Sequence, residues 1–268
     1  MPIIHHHAKI NILVCVRGHP FDRTAFDAIF QDMEDISATM VDHPAAQALM
    51  NPEAMQHYDA LVLYDMPGLD FEHATEKPGF IDPTPAFKQG FEALLQQGKP
   101  VVALHHALAG WPTWPEYGQW LGGRFLYRSG VINGDKKLDS GYAADITYTA
   151  QNIAPQHPVM AGIPATFPLC DELYLAEIFE DDVTPLLRSD YDFTAQNFYS
   201  ATAALNGQMD NNSGWEHPEG SNLIGWTKKA LNSPLVYLQI GDGSSAYENP
   251  YFRKILHNAL TWVIGEKG

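Results

Sequence analysis

The 268-residue chain contains few cysteines, few basic residues and no long apolar run. Its two cysteines, Cys15 and Cys170, are too few for a disulfide framework, and Cys15 lies in an apolar run that suits a small buried hydrophobe. No apolar stretch approaches the roughly 20 residues that are needed to cross a bilayer. The start of the chain lacks the charged region and long apolar core of a signal peptide. We therefore expect a protein of the reducing cytoplasm.

Acidic residues outnumber basic residues two to one. The chain has 32 aspartates and glutamates and 16 lysines and arginines, which gives a formal net charge of −16 at pH 7. A surface of this sign repels the phosphate groups of nucleic acids and of anionic membranes. We therefore expect neither a nucleic-acid partner nor a membrane partner. An anionic substrate is not excluded, because one lysine or arginine in a pocket can outweigh a distant field.

Several motifs of common enzyme classes are missing as well. Neither cysteine lies in a nucleophile motif, there is no Gly-x-Ser-x-Gly elbow, and no P-loop or Gly-x-Gly-x-x-Gly sequence follows the first predicted strand. These absences argue against cysteine-dependent amidotransferases, serine hydrolases and the commonest nucleotide-binding proteins. The three histidines at residues 5–7 are set aside, because such a run at the start of a chain can be an added segment.

What the sequence does contain is an alternation of buried strands and amphipathic helices. Apolar runs predict strands over residues 9–16, 60–65 and 101–104, and helical spacing predicts one helix that begins near Asp22 and another that ends at Gly98. Strands that alternate with helices are typical of a parallel sheet covered by helices.

The second half of the chain is less regular. Alternating residues predict strands over 144–149, 221–226 and 234–241, the last two as a hairpin, and the chain closes with an amphipathic helix. We find no internal repeat and no linker. The sequence therefore predicts a tail at residues 1–8 and a single domain at residues 9–268.

Polar residues follow three of the predicted strands at the point where each strand ends: His19, Asp65 and His105. The carboxyl ends of parallel strands meet at one edge of a sheet, and open α/β sheets bind their ligands there. Neighbouring residues on a strand point to opposite faces, so we expect only one of His105 and His106 to face a pocket. A buried, hydrogen-bonded pair of structural histidines explains the same sequence without a catalytic role.

Two other stretches concern the same site. Asp171 and Glu172 are adjacent carboxylates, of which one can act as a general acid or base if its pKa is raised; a solvated acidic pair is the alternative. Trp111 precedes a predicted helix, and we expect it to line the pocket. Its neighbours Trp114 and Tyr117 fit a buried helix face instead.

A bound divalent metal ion is a further alternative. Imidazole nitrogens and carboxylate oxygens suit zinc and related ions, although no recognised metal-binding spacing is present. We name His19 and His105 as candidate ligands and expect no other cofactor. The wider set of side chains with suitable donor atoms is His19, Asp65, His105, His106, His157, Asp171, Glu172 and His217.

Several stretches, taken in order along nearly the whole chain, resemble the ThuA-like family, which is named for trehalose utilisation. They are Gly-His-Pro-Phe-Asp-Arg-Thr-Ala-Phe at 18–26, Leu-His-His-Ala at 104–107, residues 114–125 ending in Leu-Gly-Gly-Arg-Phe, His-Pro-Val-Met-Ala-Gly-Ile-Pro at 157–164, Asp-Glu-Leu-Tyr at 171–174, Val-Tyr-Leu-Gln-Ile-Gly at 236–241, and residues 247–253 and 258–262.

The resemblance implies a flavodoxin-like three-layer α/β sandwich with a mostly parallel central sheet. The implied fold is of the class I glutamine amidotransferase-like type, but the chain lacks the amidotransferase cysteine. The resemblance also implies a role in sugar metabolism, on a disaccharide or a keto-sugar. The family's histidine after the third strand matches His105, and its Asp-Glu-Leu-Tyr motif matches Asp171 to Tyr174. After the last strand the family commonly has Gly-His, whereas this chain has Gly241 and Asp242, so a carboxylate replaces a histidine there.

We therefore expect an enzyme that isomerises or hydrolyses a disaccharide or keto-sugar by acid–base chemistry. The predicted catalytic residues are His105, Glu172 and Asp171. A non-catalytic sugar-binding or regulatory protein and a metal-dependent hydrolase are the alternative functions, and a homo-oligomer is compatible with the sequence. The predicted substrate-binding residues are His19, Asp65, His106, Trp111, Tyr174 and Asp242.

Overall fold

The computed structural model describes residue 5, residues 7–72 and residues 78–266. Within them, one mixed sheet of ten strands runs through the molecule. Numbered along the chain, the strands are β1 (Ile10–Arg17), β2 (Ile36–Asp42), β3 (Ala60–Asp65), β4 (Val101–Leu104), β5 (Gly141–Asn152), β6 (Thr166–Leu175), β7 (Thr184–Ser189), β8 (Tyr199–Ser200), β9 (Leu223–Ala230) and β10 (Ser233–Leu238). Along the sheet they lie in the order β6-β5-β7-β9-β10-β4-β3-β1-β2, and β8 pairs with β5.

Five neighbouring strands, in the order β2-β1-β3-β4-β10, are parallel and form the core of the sheet. Strands β3, β4 and β10 are buried along their whole length, as expected of parallel strands with both faces covered. The order is that of flavodoxin-like sheets. The predicted α/β class, with a central sheet that is mostly parallel, is therefore confirmed for this core.

Strand β2 is an element that the sequence prediction omits. It lies at the edge of the sheet, and among its seven residues only Ile36 is buried. An edge strand need not be a continuous apolar run, so a search for buried strands misses it. His105 consequently follows the fourth strand of the chain and not the third.

Helices cover both faces of the sheet. Helix α1 begins, as predicted, after Asp22, whose carboxylate accepts a hydrogen bond from the Ala25 amide at 2.9 Å. Apolar residues of α1 and α6 pack on one face of the sheet and those of α2 and α3 on the other, which gives the three predicted layers. The α-helices of the described residues are α1 (Arg23–Gln31), α2 (Pro85–Gln96), α3 (Pro115–Leu121), α4 (Ala201–Leu205), α5 (Ser244–Tyr247) and α6 (Pro250–Gly265).

The other half of the sheet is antiparallel and joins the parallel core through the β9–β10 hairpin. This pairing confirms the predicted hairpin, and Leu231 in its turn has a left-handed φ of 54°. Strand β5 is longer than predicted and pairs with β6, β7 and β8. Short two-stranded ribbons lie outside this sheet: Leu69–Asp70 with Gly79–Phe80, Gly123–Arg124 with Glu177–Ile178, and Gly130–Ile132 with Asp135–Lys137.

Several general expectations concern the whole chain. Cys15 is fully buried, as predicted, and both cysteines are free thiols. None of the described helices combines the length and the apolar character that crossing a membrane requires. The cytoplasmic location and the division into a tail and one domain stay predictions, and most of the tail, residues 1–4 and residue 6, lies outside the described residues.

Candidate active site

The carboxyl ends of four parallel strands meet at one edge of the sheet, the three that the sequence predicts and β10. His19 lies in the loop after β1, Asp65 ends β3, His105 and His106 follow β4, and Asp242 follows β10. Strand β6 of the antiparallel half reaches the same place and adds a further carboxylate. The side chains at this edge do not all point the same way, and their directions decide their roles.

His105 lies in a strained turn and is fully buried. The chain leaves β4 there with a φ of 27°, a left-handed value that is uncommon outside glycine, and a 3₁₀ turn follows over His105–Ala109. The ring Nδ1 contacts the backbone carbonyl of Gln239, and Nε2 lies 3.0 Å from Oε2 of Glu172. Because both ring nitrogens face oxygen acceptors, the doubly protonated ring satisfies both contacts.

The charges around His105 favour this protonated form. Burial lowers the pKa of the ring, but the hydrogen bond to Glu172 and the Asp242 carboxylate, 3.8 Å away, outweigh it and raise the pKa to about 9. The ring is therefore protonated at neutral pH. The Tyr174 ring packs against it, with the ring centroids 4.4 Å apart.

His106 contacts the same carboxylate from another side. Its Nε2 lies 3.0 Å from Oδ1 of Asp242, and its ring centroid lies 4.4 Å from that of His19. Burial lowers the pKa of His106 to about 3, so this ring is neutral at pH 7. Burial also opposes the charge of Asp242, but the hydrogen bond with His106 and the neighbouring histidines lower the pKa of that carboxyl to about 2.

Both histidines are buried against Asp242 and neither lines the cleft beside them, which corrects the expectation that one of the two faces a pocket. That expectation rests on the alternation of side chains along an extended strand. The left-handed φ of His105 ends the extended conformation at Leu104, before the two histidines. Nε2 of His105 and Nε2 of His106 therefore both approach Oδ1 of Asp242, at 3.8 and 3.0 Å.

Asp171 holds the segment that carries Asp242. Its carboxylate accepts hydrogen bonds from the backbone amides of Gly241 and Asp242, at 2.7 and 3.0 Å. The hydroxyls of Tyr64 and Tyr247 donate to the Asp242 carbonyl at 3.1 and 2.7 Å. Burial raises the pKa of Asp171 to about 7. Although the sequence predicts a catalytic role for Asp171, its contacts are those of a positioning residue.

Gln239 is a site residue that the sequence prediction misses. In addition to its carbonyl contact with His105, its side-chain Oε1 accepts a hydrogen bond from the Tyr174 amide at 2.9 Å. It thereby joins the end of β10 to β6 beside Glu172. A glutamine inside the apolar run at residues 235–240 is an unusual residue in a buried strand, and this signal was present in the sequence.

A cleft of about 490 Å³ opens beside these residues. Glu172 and His19 line it, whereas His105 lies buried behind Glu172. In the described part of the chain, Glu172 is the only carboxylate residue that lines the cleft. The walls are mostly apolar and aromatic, with side chains such as Leu69, Phe71, Phe125, Tyr127, Tyr174 and Met209.

Asp65 and Trp111 point away from the cleft, contrary to the prediction. Asp65 is buried, with one carboxylate oxygen 2.6 Å from Nε2 of His43. Trp111 packs against Phe87 of α2 and against His43, at ring-centroid distances of 5.3 and 5.9 Å. Side chains alternate along β3, so Tyr64 and Asp65 face different layers.

Two overlapping groups of side chains carry the donor atoms that metal ions prefer. One is His19, His106 and Asp242, and the other is His105, Glu172 and Asp242. Within each group, one donor atom per residue lies within 4.8 Å of the others. The predicted candidates His19 and His105 thus belong to different groups, which share the Asp242 carboxylate.

A larger cavity of about 720 Å³ lies at the opposite edge of the sheet, near the residues that precede β4 and β10. It is lined by His157, whose ring packs against Trp262 at a centroid distance of 4.9 Å. His217, another histidine of the predicted set, packs against Trp215 at 5.3 Å. We place the candidate site in the smaller cleft, because the histidine–carboxylate contacts described above converge there.

Comparison with known proteins gives the family. A family model described as ThuA, trehalose utilisation, matches residues 12–263. The chain belongs to the ThuA family. A ThuA-like protein from Parabacteroides merdae has a similar structure, with a TM-score of 0.65 and 13% identity over 95% of this chain and 90% of that one. A ThuA-like protein from Bacteroides uniformis has a TM-score of 0.59 and 17% identity over 96% and 91% of the two chains.

The wider fold class is also clear. A GMP synthase protein from Thermoplasma acidophilum is similar to this ThuA-family chain with a TM-score of 0.50 and 10% identity, over 97% of this chain and 96% of that one. At these identities the similarity shows the fold alone. It confirms the predicted glutamine amidotransferase-like architecture. The comparison with curated proteins found no significant match.

Proposed function

We propose that this ThuA-family protein catalyses proton transfer on a carbohydrate that carries a carbonyl group, and so interconverts the isomers of a keto-sugar. The observation that carries the proposal is the position of Glu172. This carboxylate lines an otherwise largely apolar cleft and is hydrogen-bonded at 3.0 Å to a buried histidine. Membership of the ThuA family supports a carbohydrate-related role.

Glu172 is the catalytic base in this proposal. It removes a proton from the hydroxyl-bearing carbon next to the carbonyl group, and water gives a proton to the carbonyl oxygen, which yields an enediol. The enediol then returns the proton of its other hydroxyl group to the hydroxide so formed, and Glu172 delivers its proton to the former carbonyl carbon, which completes the isomer without any net change in composition. His105 is a positioning residue, because it lies buried behind Glu172 and its ring is hydrogen-bonded to the Glu172 carboxylate.

The walls of the cleft support a sugar as the substrate. The rings of Phe125, Tyr127 and Tyr174 present flat apolar surfaces beside Glu172, and such surfaces suit the C–H face of a sugar ring. Phe125 and Tyr174 pack against one another with ring centroids 4.9 Å apart and ring planes tilted by 56°, so two aromatic rings adjoin in this wall.

The usual two-carboxylate route to glycoside hydrolysis has less support. In glycosidases two carboxyl groups face the scissile bond in one pocket, roughly 5–5.5 Å apart in retaining enzymes and roughly 6.5–9.5 Å apart in inverting ones. Asp242 approaches Glu172 to within 4.8 Å, and of the described residues that line the cleft Glu172 alone carries a carboxylate. Isomerisation needs only one base of this kind.

The proposal is tested by following solvent deuterium into a panel of keto-sugars and keto-disaccharides by NMR. We expect the wild-type protein to incorporate deuterium at the carbon next to the carbonyl group. Glu172→Gln keeps the shape of the side chain and removes the base, so we expect exchange to fall about 10²- to 10⁴-fold. Glu34→Gln, an exposed residue between α1 and β2, is the matched control and should exchange at the wild-type rate.

Two results would contradict the proposal. A sugar that raises the melting temperature of both proteins without exchange in either would indicate a sugar-binding protein. Release of free monosaccharide by the wild type, lost in Glu172→Gln and without deuterium at the carbon next to the carbonyl, would indicate a hydrolase.

A further inference from the structure

We propose that His19, His106 and Asp242 bind one divalent transition-metal ion, such as Zn²⁺, next to the cleft that His19 and Glu172 line. Two imidazoles and one carboxylate are the donor set of many catalytic zinc and non-haem iron sites. The inference goes beyond the proposed proton transfer and does not depend on it, because the binding of an ion can be measured without turnover.

The distances between the donor atoms fit a single ion. Nε2 of His106 lies 3.0 Å from Oδ1 of Asp242, and Nδ1 of His19 lies 4.0 Å from the same oxygen. Donor atoms bound to one ion at about 2.0–2.2 Å lie ~3–4 Å from each other. All three donor atoms lie within 4.8 Å of one another, so a small movement of the exposed His19 ring brings the set to the spacing of one ion.

The surroundings hold two of the ligands in place before any ion binds. The backbone of Asp242 is fixed by Asp171 and by the hydroxyls of Tyr64 and Tyr247. The buried ring of His106 packs against Tyr64, with ring centroids 4.8 Å apart. Outer contacts of this kind orient metal ligands and strengthen binding.

The third ligand gives the ion access to the cleft. The His19 side chain is 39% exposed and lines the cleft, so it is the ligand through which the ion would be reached from the cleft. Nδ1 of His19 also lies 3.0 Å from the Pro20 carbonyl, a local contact that an ion would replace. Three protein ligands leave coordination positions open, where a carbonyl oxygen can be polarised next to the base Glu172.

The overlapping group of His105, Glu172 and Asp242 is the weaker candidate. Both ring nitrogens of His105 already have partners, the Gln239 carbonyl and the Glu172 carboxylate. His105 is also fully buried, so an ion at its Nε2 would have little room for a substrate. The experiment must nevertheless distinguish the two groups, because they share Asp242.

The test is titration calorimetry with Zn²⁺, and elemental analysis, on the full chain after dialysis against a chelator. All proteins carry His5→Ala, His6→Ala and His7→Ala, because adjacent histidines bind metals by themselves. We expect one Zn²⁺ per chain, and at least a ~10-fold loss of affinity in His19→Ala and in Asp242→Asn. His257→Ala is the matched control, because His257 pairs with Asp35 on the surface, and it should bind Zn²⁺ as the parent does.

Two outcomes would overturn the assignment. One is the absence of stoichiometric Zn²⁺ in the parent protein. The other is Zn²⁺ binding that His19→Ala leaves unchanged and Glu172→Gln removes, which would place the ion in the overlapping group. His19 is the first choice of variant because it lies in a loop, and circular dichroism checks that each variant is folded. Deuterium exchange without Zn²⁺ binding would overturn this inference and leave the proposed function standing.

Discussion

At the scale of single residues, Gln239 shows how a buried polar side chain can organise a site without entering the cleft. Its backbone carbonyl contacts His105, and its side-chain amide bonds to the backbone of Tyr174 through both the amide oxygen and the amide nitrogen. Because Gln239 is only 1% exposed, water cannot replace these partners. One residue therefore connects the strand that leads to Asp242 with the strand that carries Glu172.

Gln239→Leu should destabilise the protein by about 1–3 kcal/mol, because it leaves the Tyr174 amide buried without its acceptor. Urea unfolding measures the change. Gln56→Leu, at an exposed position, is the control and should stay within about 0.5 kcal/mol of the wild type. An equal loss in both variants would mean that the buried amide contributes nothing specific.

Two pairs of adjacent residues lie in the site, Asp171 with Glu172 and His105 with His106. The sequence predicts that each pair belongs to the site but does not predict which member has which role. Alternation along β6 turns Glu172 to the cleft and Asp171 to the backbone of Asp242. The same rule fails at His105 and His106, because it holds only while the backbone is extended. The left-handed turn at His105 and the contact with Gln239 depend on distant parts of the chain, so local sequence cannot reveal them.

At the scale of elements, α6 is the helix that closes the three-layer structure. It begins at Pro250 and buries one face, which includes Phe252, Ile255, Leu256 and Leu260. Its N-cap is Asn249, whose side-chain oxygen accepts hydrogen bonds from the amides of the two residues that follow Pro250, at 2.9 and 3.2 Å. The ring of its Phe252 lies close to Gly241, the residue before Asp242.

Asn249→Ala should lower the free energy of unfolding by about 1 kcal/mol, because two amides at the start of α6 lose their acceptor. Asn249→Asp keeps an acceptor oxygen and should recover most of the loss. Chemical denaturation of both variants measures the difference. If aspartate and alanine prove equally destabilising, capping is not the role of Asn249.

How well the sequence predicts each helix or strand depends on how deeply that element is buried. The long apolar runs of β1, β3 and β4 and the periodic helices are read correctly, because both faces of a parallel strand exclude water. The half-exposed edge strand β2 and the short ribbons give no such run. The antiparallel strands are found only in part, because their pairing is set by contacts between segments far apart in the chain.

At the scale of the whole molecule, the dominant feature is charge. The chain has a formal net charge of −16, so its surface carries many like charges at neutral pH. Such self-repulsion opposes the compact state, and dissolved salt screens it. The overall charge therefore weakens a fold that its apolar cores stabilise.

Raising the NaCl concentration from about 0.05 to about 0.5 M at pH 8 should stabilise the protein, because it shortens the Debye length. A gain on the order of 1 kcal/mol would raise Tm by roughly 2–4 °C, which calorimetry can measure. At pH 5, close to the isoelectric point of ≈ 5.0, the effect should nearly disappear. A salt effect of the same size at both pH values would exclude net charge as the cause.

The hydrogen bonds of the site also determine when it can exist during synthesis. His105 bonds to Glu172 across 67 residues and to Gln239 across 134, and His106 bonds to Asp242 across 136. Contacts of such range form late, because they require a large loss of chain entropy. A nascent chain that ends before residue 242 lacks a carboxylate that contacts both histidines. The site is therefore assembled only after residue 242 has been synthesised, and a product truncated before it lacks part of the site even where its parallel strands form.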